Sequence, residues 1–227
     1  MAGSGYYSGK EALMRIFSIS IIAVFLLAAN AFAEAIEISD VDIFYSYIVK
    51  HNKKQSKQLS YALANATVNA AAQSGLPDEL LVGIQKVESA FRVTAVSPKN
   101  AMGAMQVHYP TWGPSLKLSA QSRWLLFVPE LNVLKGTDIL KTYLEIENGS
   151  VLKALYRYLG LPDEKLNKMP PALRAQKHKE RVAYAASVIR QYAAYKKYKE
   201  RIRQLQYVAA NAENKEQCVD CDPVRTF

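Results

Sequence analysis

The chain has 227 residues, 50% of them hydrophobic and 22% charged, with 10 Gly and 9 Pro, which excludes a disordered, collagen-like or low-complexity protein. Lys and Arg number 29 against 20 Asp and Glu, a formal charge of +9, and this favours an anionic partner without choosing among nucleic acid, membrane surface and acidic polymer. Both cysteines, Cys218 and Cys221, fall in the last ten residues, so neither a disulfide scaffold nor a four-cysteine zinc site organises the fold.

In chain order, residues 16–33 read IFSISIIAVFLLAANAFA, follow Lys10 and Arg15, and end in the small-residue pattern Ala31-Phe32-Ala33. Residues 1–33 therefore read as a secretory signal peptide cleaved after Ala33. The competing reading is an uncleaved inner-membrane anchor, because the apolar run is close to the roughly 20 residues that span a bilayer. Ala28, Ala29 and Ala31 dilute the run and Glu34 follows the cut, which favours cleavage. Export implies work in the periplasm, on cell-envelope polymers rather than nucleic acid.

Residues 34–74 read as an N-terminal helical arm, with Tyr61, Leu63, Ala64, Val68 and Ala71 at helical spacing. Gly75-Leu76-Pro77-Asp78-Glu79 breaks that pattern and opens another helix, Pro77 suiting a first-turn position and the two acids the positive end of the dipole. Leu131–Tyr143, Val151–Leu159 and Arg181–Tyr207 repeat apolar residues every three to four positions, and no alternating run suggests a sheet. The fold class is all-α: a catalytic-size unit at 75–195, followed by a basic helix and polar tail at 196–227.

In the helix opening at Pro77, Leu80, Leu81, Ile84 and Val87 form the apolar stripe, and Glu88 lies four residues after Ile84 on the same side. A carboxylate turned toward a core is expected to gain a raised pKa and stay protonated near neutrality, as a general acid requires. The alternative is a glutamate at a helix end that turns to solvent.

Beyond Glu88 come Ser89, Phe91, Ala95 and Ser97, then Ala101-Met102-Gly103-Ala104-Met105-Gln106, Pro110-Thr111, Pro129-Glu130-Leu131-Asn132 and Gly136. Over about 110 residues this order resembles the catalytic domain of the lytic transglycosylases, lysozyme-like enzymes that cleave bacterial peptidoglycan. The resemblance implies a lysozyme-like helical domain with Glu88 as sole catalytic acid. It further implies that Ser89 holds the Glu88 carboxyl by a hydrogen bond, and that Met105 and Gln106 line the sugar groove; the alternatives are core filling for Met105 and a surface amide for Gln106. Gly103 lets the backbone approach a ligand or a neighbouring helix closely. Where the family has Ala-Tyr-Asn-Ala-Gly, this chain has Leu155-Tyr156-Arg157-Tyr158-Leu159-Gly160. Tyr156 is thereby matched to a saccharide-binding tyrosine, while Arg157 replaces the Asn and offers a charge to a peptide-stem carboxylate. Glu180-Arg181-Val182-Ala183-Tyr184 resembles the family's Glu-Thr-x-x-Tyr, which would put Glu180 in the cleft and give the Tyr184 hydroxyl to Glu88; the alternative is a solvent-facing Glu180 and a core Tyr184. Four residues apart, the two share a helix face.

The implied function is peptidoglycan cleavage between N-acetylmuramic acid and N-acetylglucosamine with 1,6-anhydro ends, without metal or organic cofactor. The rivals are a hydrolysing muramidase and a catalytically weak peptidoglycan-binding module of an envelope assembly. Peptidoglycan strands are the expected partner. The cations at Arg190, Lys196, Lys197, Lys199, Arg201 and Arg203, interleaved with Tyr192, Tyr195 and Tyr198, read as a solvated helix or a contact with an envelope complex in preference to a nucleic-acid stripe. Cys218 and Cys221 have redox-pair spacing but lie in a polar tail, which favours an exposed disulfide. Trp112 and Trp124 are candidates for stacking on sugars or for core packing.

Overall fold

The computed structural model describes residues 37–218, without the side chains of 212–218. The apolar segment 16–33 and Cys221 lie outside the described residues. Eight α-helices are present among them: α1 (Asp40–His51), α2 (Lys57–Ser74), α3 (Asp78–Ser89), α4 (Tyr109–Trp112), α5 (Pro129–Ile146), α6 (Val151–Tyr158), α7 (Asp163–Leu166) and α8 (Pro171–Cys218). Residues 39–205 form one compact unit, and α8 continues past it as part of a second. No helix among the described residues is long and apolar enough to cross a membrane.

Local chemistry sets the helix ends. Ser39 and Ser56 cap α1 and α2 by accepting the Asp42 and Leu59 amides at 3.1 and 3.2 Å. Gly75 ends α2 in the left-handed conformation, φ 73°. Pro77 is the cap of α3, one residue before the first turn, and Asp78 and Glu79 occupy that turn.

The chain is mainly helical, as the periodicity predicts, with one addition. Ala101–Met102 (β1) and Val107–His108 (β2) pair antiparallel, Ala101 opposite His108 and Met102 opposite Val107. Strands of two residues are too short for alternation to register, so no sheet was expected here. The hairpin is pinned by Asn132 on α5, whose Oδ1 accepts the Met105 amide and whose Nδ2 donates to the Met102 carbonyl, both at 2.8 Å. Gly103 in the hairpin (φ 79°) allows this approach, since a Cβ there would lie 2.2 Å from Asn132 Nδ2.

Helices α1 and α2, which lie in the segment read as a helical arm, are packed into the same unit. Ile43, Phe44, Tyr47 and Ile48 of α1 are buried, and Phe44 and Tyr47 meet Phe91 edge-on with ring centroids 5.6 and 6.0 Å apart. Tyr195 of α8, fully buried, completes the cluster at 5.4 Å from Phe44. The apolar face of α1 thus closes the core that α3 and α8 leave open.

Helix α8 crosses α3 at Gly83, where a Cβ would lie 2.8 Å from the Val188 carbonyl oxygen and 3.2 Å from the Tyr192 amide nitrogen. Both are backbone atoms, so the helices would have to part. Gly83→Ala is expected to lower stability by about 1–2 kcal/mol in urea unfolding, the overpacking outweighing the helix propensity of alanine, worth about 1 kcal/mol. A midpoint at or above that of the parent would contradict so close a crossing.

Candidate active site

Glu88 lies in the last turn of α3, and the chain leaves that helix abruptly: Ala90 and Phe91 both have left-handed backbones, φ 52° and 65°. Such conformations cost roughly 1–2 kcal/mol per non-glycine residue. Here they persist because the Phe91 ring is wholly buried against α1 and its amide donates to the Gln85 carbonyl at 3.3 Å. The turn leaves Glu88 partly buried rather than fully solvated.

Tyr184 of α8 donates its hydroxyl to Glu88 Oε1 at 2.5 Å. Burial pushes the Glu88 carboxyl up to about 7, against a smaller downward pull from the Tyr184 hydrogen bond. Burial, and then the Glu88 charge, hold the Tyr184 hydroxyl well above its ordinary range, so the tyrosine remains a donor. Glu88 is therefore a carboxyl held near half-protonation at neutral pH with one oxygen fixed by a neutral donor.

Tyr158 is the residue that the sequence reading overlooked. It ends α6, its hydroxyl donates to the Met105 carbonyl at 2.8 Å, and burial followed by the Glu88 charge raises its pKa well above the ordinary value. Tyr143 meets it edge-on at 6.4 Å, and Trp112 lies 6.4 Å beyond Tyr143. Trp112 is half-buried and helps line a cavity of about 160 Å³ with Ser115, Leu116, Ile139 and Thr142. An aromatic run thus leads from Glu88 toward this cavity. Trp124 is 56% exposed.

Tyr156, matched to the family tyrosine in the sequence, is buried, and the Arg181 guanidinium sits 4.3 Å over its ring, so its face is already covered. Residues two apart on a helix point about 200° from each other. The motif match chose Tyr156, whereas Tyr158, on the other side of the helix, is the tyrosine close enough to feel the Glu88 charge. The charge of Arg157 is likewise engaged, with Glu147 and Glu164 at 2.6 Å each, and is not free for a stem carboxylate.

Four further site residues are placed as follows. Ser89 does not hold the Glu88 carboxyl: its hydroxyl is directed to the Ala104 and Gln85 carbonyls at 2.9 and 3.1 Å. Consecutive helical side chains diverge by about 100°, and Ser89 ties the hairpin to α3 instead. Met105 is fully buried against Gly136, where a Cβ would lie 2.5 Å from Met105 Cβ, so it fills the core. Gln106, φ 50°, donates its amide nitrogen to the Gly103 carbonyl at 2.9 Å and more weakly to that of Ala95 at 3.3 Å, which leaves only the amide oxygen for a ligand. Glu180 is exposed and pairs with Lys177 at 2.7 Å.

The helical scaffold, with one acid at a helix end beside a small hairpin, is of the lysozyme-like class. Residues 65–169, just under half of the chain, match the Transglycosylase SLT domain family. A membrane-bound lytic murein transglycosylase C of Edwardsiella ictaluri (strain 93-146) is 29% identical over 132 residues, 51% of this chain and 37% of that protein. Proteins of the same name from Yersinia pestis (strain Pestoides F) and Yersinia pseudotuberculosis serotype O:1b (strain IP 31758) are 34% identical over 93 residues, 39% of this chain and 26% of theirs. The chain thus spans well under half the length of these relatives. The family match begins inside α2 and ends before α8, so Tyr184 reaches Glu88 from outside it.

The raised Glu88 pKa has a stability consequence. The folded chain takes its proton at about pH 7 and the unfolded chain near 4.5, so this group costs stability progressively as pH rises through that window. Glu88→Gln is expected to match the parent below about pH 4 and to exceed it by on the order of 3 kcal/mol above pH 7. Denaturant unfolding of both chains across this range measures the difference, and a pH-independent gap would contradict the raised pKa.

Proposed function

We propose that the chain cleaves the glycan strands of peptidoglycan between N-acetylmuramic acid and N-acetylglucosamine, with Glu88 acting first as acid and then as base. The observation that carries this reading is the neutral-leaning Glu88 carboxyl whose Oε1 accepts the Tyr184 hydroxyl. That bond leaves the proton on Oε2, available to the bridging glycosidic oxygen. As the bond to N-acetylglucosamine breaks, the neighbouring N-acetyl group of the muramoyl residue stabilises the cationic C1 centre. The Glu88 carboxylate, now ionised and stabilised by Tyr184, then removes the proton of the muramoyl 6-hydroxyl as its oxygen attacks C1. A 1,6-anhydro end results, the proton returns to Glu88, and no water is consumed. Holding both reacting groups on one sugar supplies a high effective concentration.

Enzymes that use two carboxylates keep them roughly 5–9.5 Å apart across the scissile bond. The Glu88 shift arises from burial, opposed by the Tyr184 hydrogen bond, with no contribution from a second acid, and Glu180 is exposed and paired with Lys177. This favours the one-acid route over a two-carboxylate hydrolase. Residues 16–33, read as an export segment, and the membrane-bound names of the relatives support a periplasmic location, with inner-membrane anchoring as the alternative. Of the basic positions on α8, Arg190, Lys196, Lys197 and Arg201 are exposed and form the surface for an envelope partner.

Digestion of purified sacculi followed by mass spectrometry of the fragments tests the reaction. Anhydro-muramoyl ends are expected, whereas reducing ends would make the chain a muramidase and undigested sacculi a binding module. Glu88→Gln should lower the rate roughly 10²–10⁴-fold, and a variant as fast as the parent would remove Glu88 from the mechanism. Activity should fall on the alkaline side of about pH 7. Because the Tyr184 hydroxyl favours the ionised carboxylate, Tyr184→Phe should move that limb upward; a limb that stays in place or moves down would contradict the role given to this bond.

A further inference from the structure

A second cavity, of about 630 Å³, lies between α1, α2 and the start of α5. Gln58, Tyr61 and Asn65 line it from positions three and four residues apart on one face of α2, with the small Ala62 between them. Lys57 joins them at the start of that helix, Tyr45 faces them from α1 and Glu130 from the first turn of α5. Tyr61 is 49% exposed, and its ring meets that of Tyr45 edge-on at 5.8 Å, which holds the aromatic platform at a defined angle. The ammonium, amide and carboxylate groups of Lys57, Gln58, Asn65 and Glu130 make no hydrogen bond or ion pair among the described residues. Polar groups converging on one concavity without internal partners are what a ligand site requires. The family match starts at residue 65, so both tyrosines, Lys57 and Gln58 are supplied by chain that precedes it.

The chemistry points to a sugar. A tyrosine face is negative and apolar and suits the C–H face of a pyranose, while two planar amides offer paired donors and acceptors to adjacent hydroxyls or an N-acetyl group. A peptide is recognised mostly through its backbone at a sheet edge or by anchor side chains in an apolar groove, whereas this cavity offers polar side chains of three helices. The volume lies within the roughly 300–1,000 Å³ typical of small-ligand sites.

We propose that this cavity is a non-catalytic binding site for N-acetylated amino-sugar glycan, holding one stretch of a peptidoglycan strand while another lies at Glu88. It rests on the reading of Glu88 given above, in that the same polymer is bound twice, and such tethering raises the effective concentration of strand at the acid.

Titration of the ¹⁵N-labelled full chain with tri-N-acetylchitotriose tests it. Saturable shifts are expected at the side-chain amides of Gln58 and Asn65 and at the Tyr61 amide. Tyr61→Ala should weaken those shifts and retention on purified sacculi at least about fivefold, with cleavage of a short soluble muropeptide within about twofold of the parent. Because Tyr61 touches Tyr45, Gln58→Ala serves as a second variant with less at stake in the fold. Shifts confined to the surroundings of Glu88, retention unchanged in both variants, or shifts on α2 caused by a free stem peptide and not by the trisaccharide would each overturn the proposal. Sacculi left uncut while the trisaccharide still moves the α2 signals would refute the function assigned to Glu88 and leave this site standing.

Discussion

One hydrogen bond between two helices decides what Glu88 is. Removing a carboxyl from water raises its pKa without limit on its orientation, and the Tyr184 hydroxyl supplies the orientation. It binds Oε1 and thereby selects the oxygen that carries the proton. The bond exists only because α3 and α8 approach closely at Gly83, five residues before Glu88 and opposite Val188, one turn beyond Tyr184. A side chain at position 83 would separate the two helices where their spacing determines the donor's reach. The orientation of one acid is thus governed by a backbone contact a turn and a half away.

The same site depends on a chain reversal that an isolated helix would not make. Ala90 and Phe91 occupy left-handed backbone conformations, and burial of the Phe91 ring among Phe44, Tyr47 and the neighbouring Tyr195 offsets their cost. Ser89 and Asn132 then fix the hairpin from opposite sides, one through the Ala104 carbonyl and the other through Met105 and Met102. Three of the residues with recognisable sequence signatures, Ser89, Asn132 and Gly136, do their work on the backbone and core around Glu88 rather than on a ligand. Positioning an acid to within tenths of an ångström requires such a shell.

The helices were legible because their apolar spacing is strong: Val151–Leu159 read from sequence is Val151–Tyr158 in the structure, and Leu131–Tyr143 falls inside Pro129–Ile146. Glu88 was legible as well, since an acid on an apolar helix face is a local pattern, and the pairing with Tyr184 followed from the family's Glu-Thr-x-x-Tyr. What failed were the directions of neighbouring side chains. Ser89 stands next to Glu88 in sequence yet points to another element, and Tyr156 and Tyr158, two residues apart, point to nearly opposite sides of their helix, one under Arg181 and the other to the Met105 carbonyl. The engagement of Arg157 by Glu147 and Glu164 was equally hidden, since both acids come from other elements. The hairpin escaped for a different reason: its identity lies in Asn132, some thirty residues away, rather than in any alternation of its own.

The helices before the family match explain how a basic chain can be organised internally. Lys199 lies 3.0 Å from Asp78 and 3.3 Å from Asp40, and Arg203 lies 2.8 Å from Asp40, so two cations of the basic stripe join α8 to α1 and α3. Burial opposes the Lys199 charge, but its acidic neighbours outweigh this and raise its pKa. These contacts are partly buried, where ion pairs are screened less than at the surface, and they hold α1 against the two helices that carry Glu88 and Tyr184. Helix α1 therefore has two attachments, an aromatic one that supports the turn after Glu88 and an ionic one along α8. The remaining exposed cations, Arg190, Lys196, Lys197 and Arg201, are the part of the stripe that makes no such contact among the described residues.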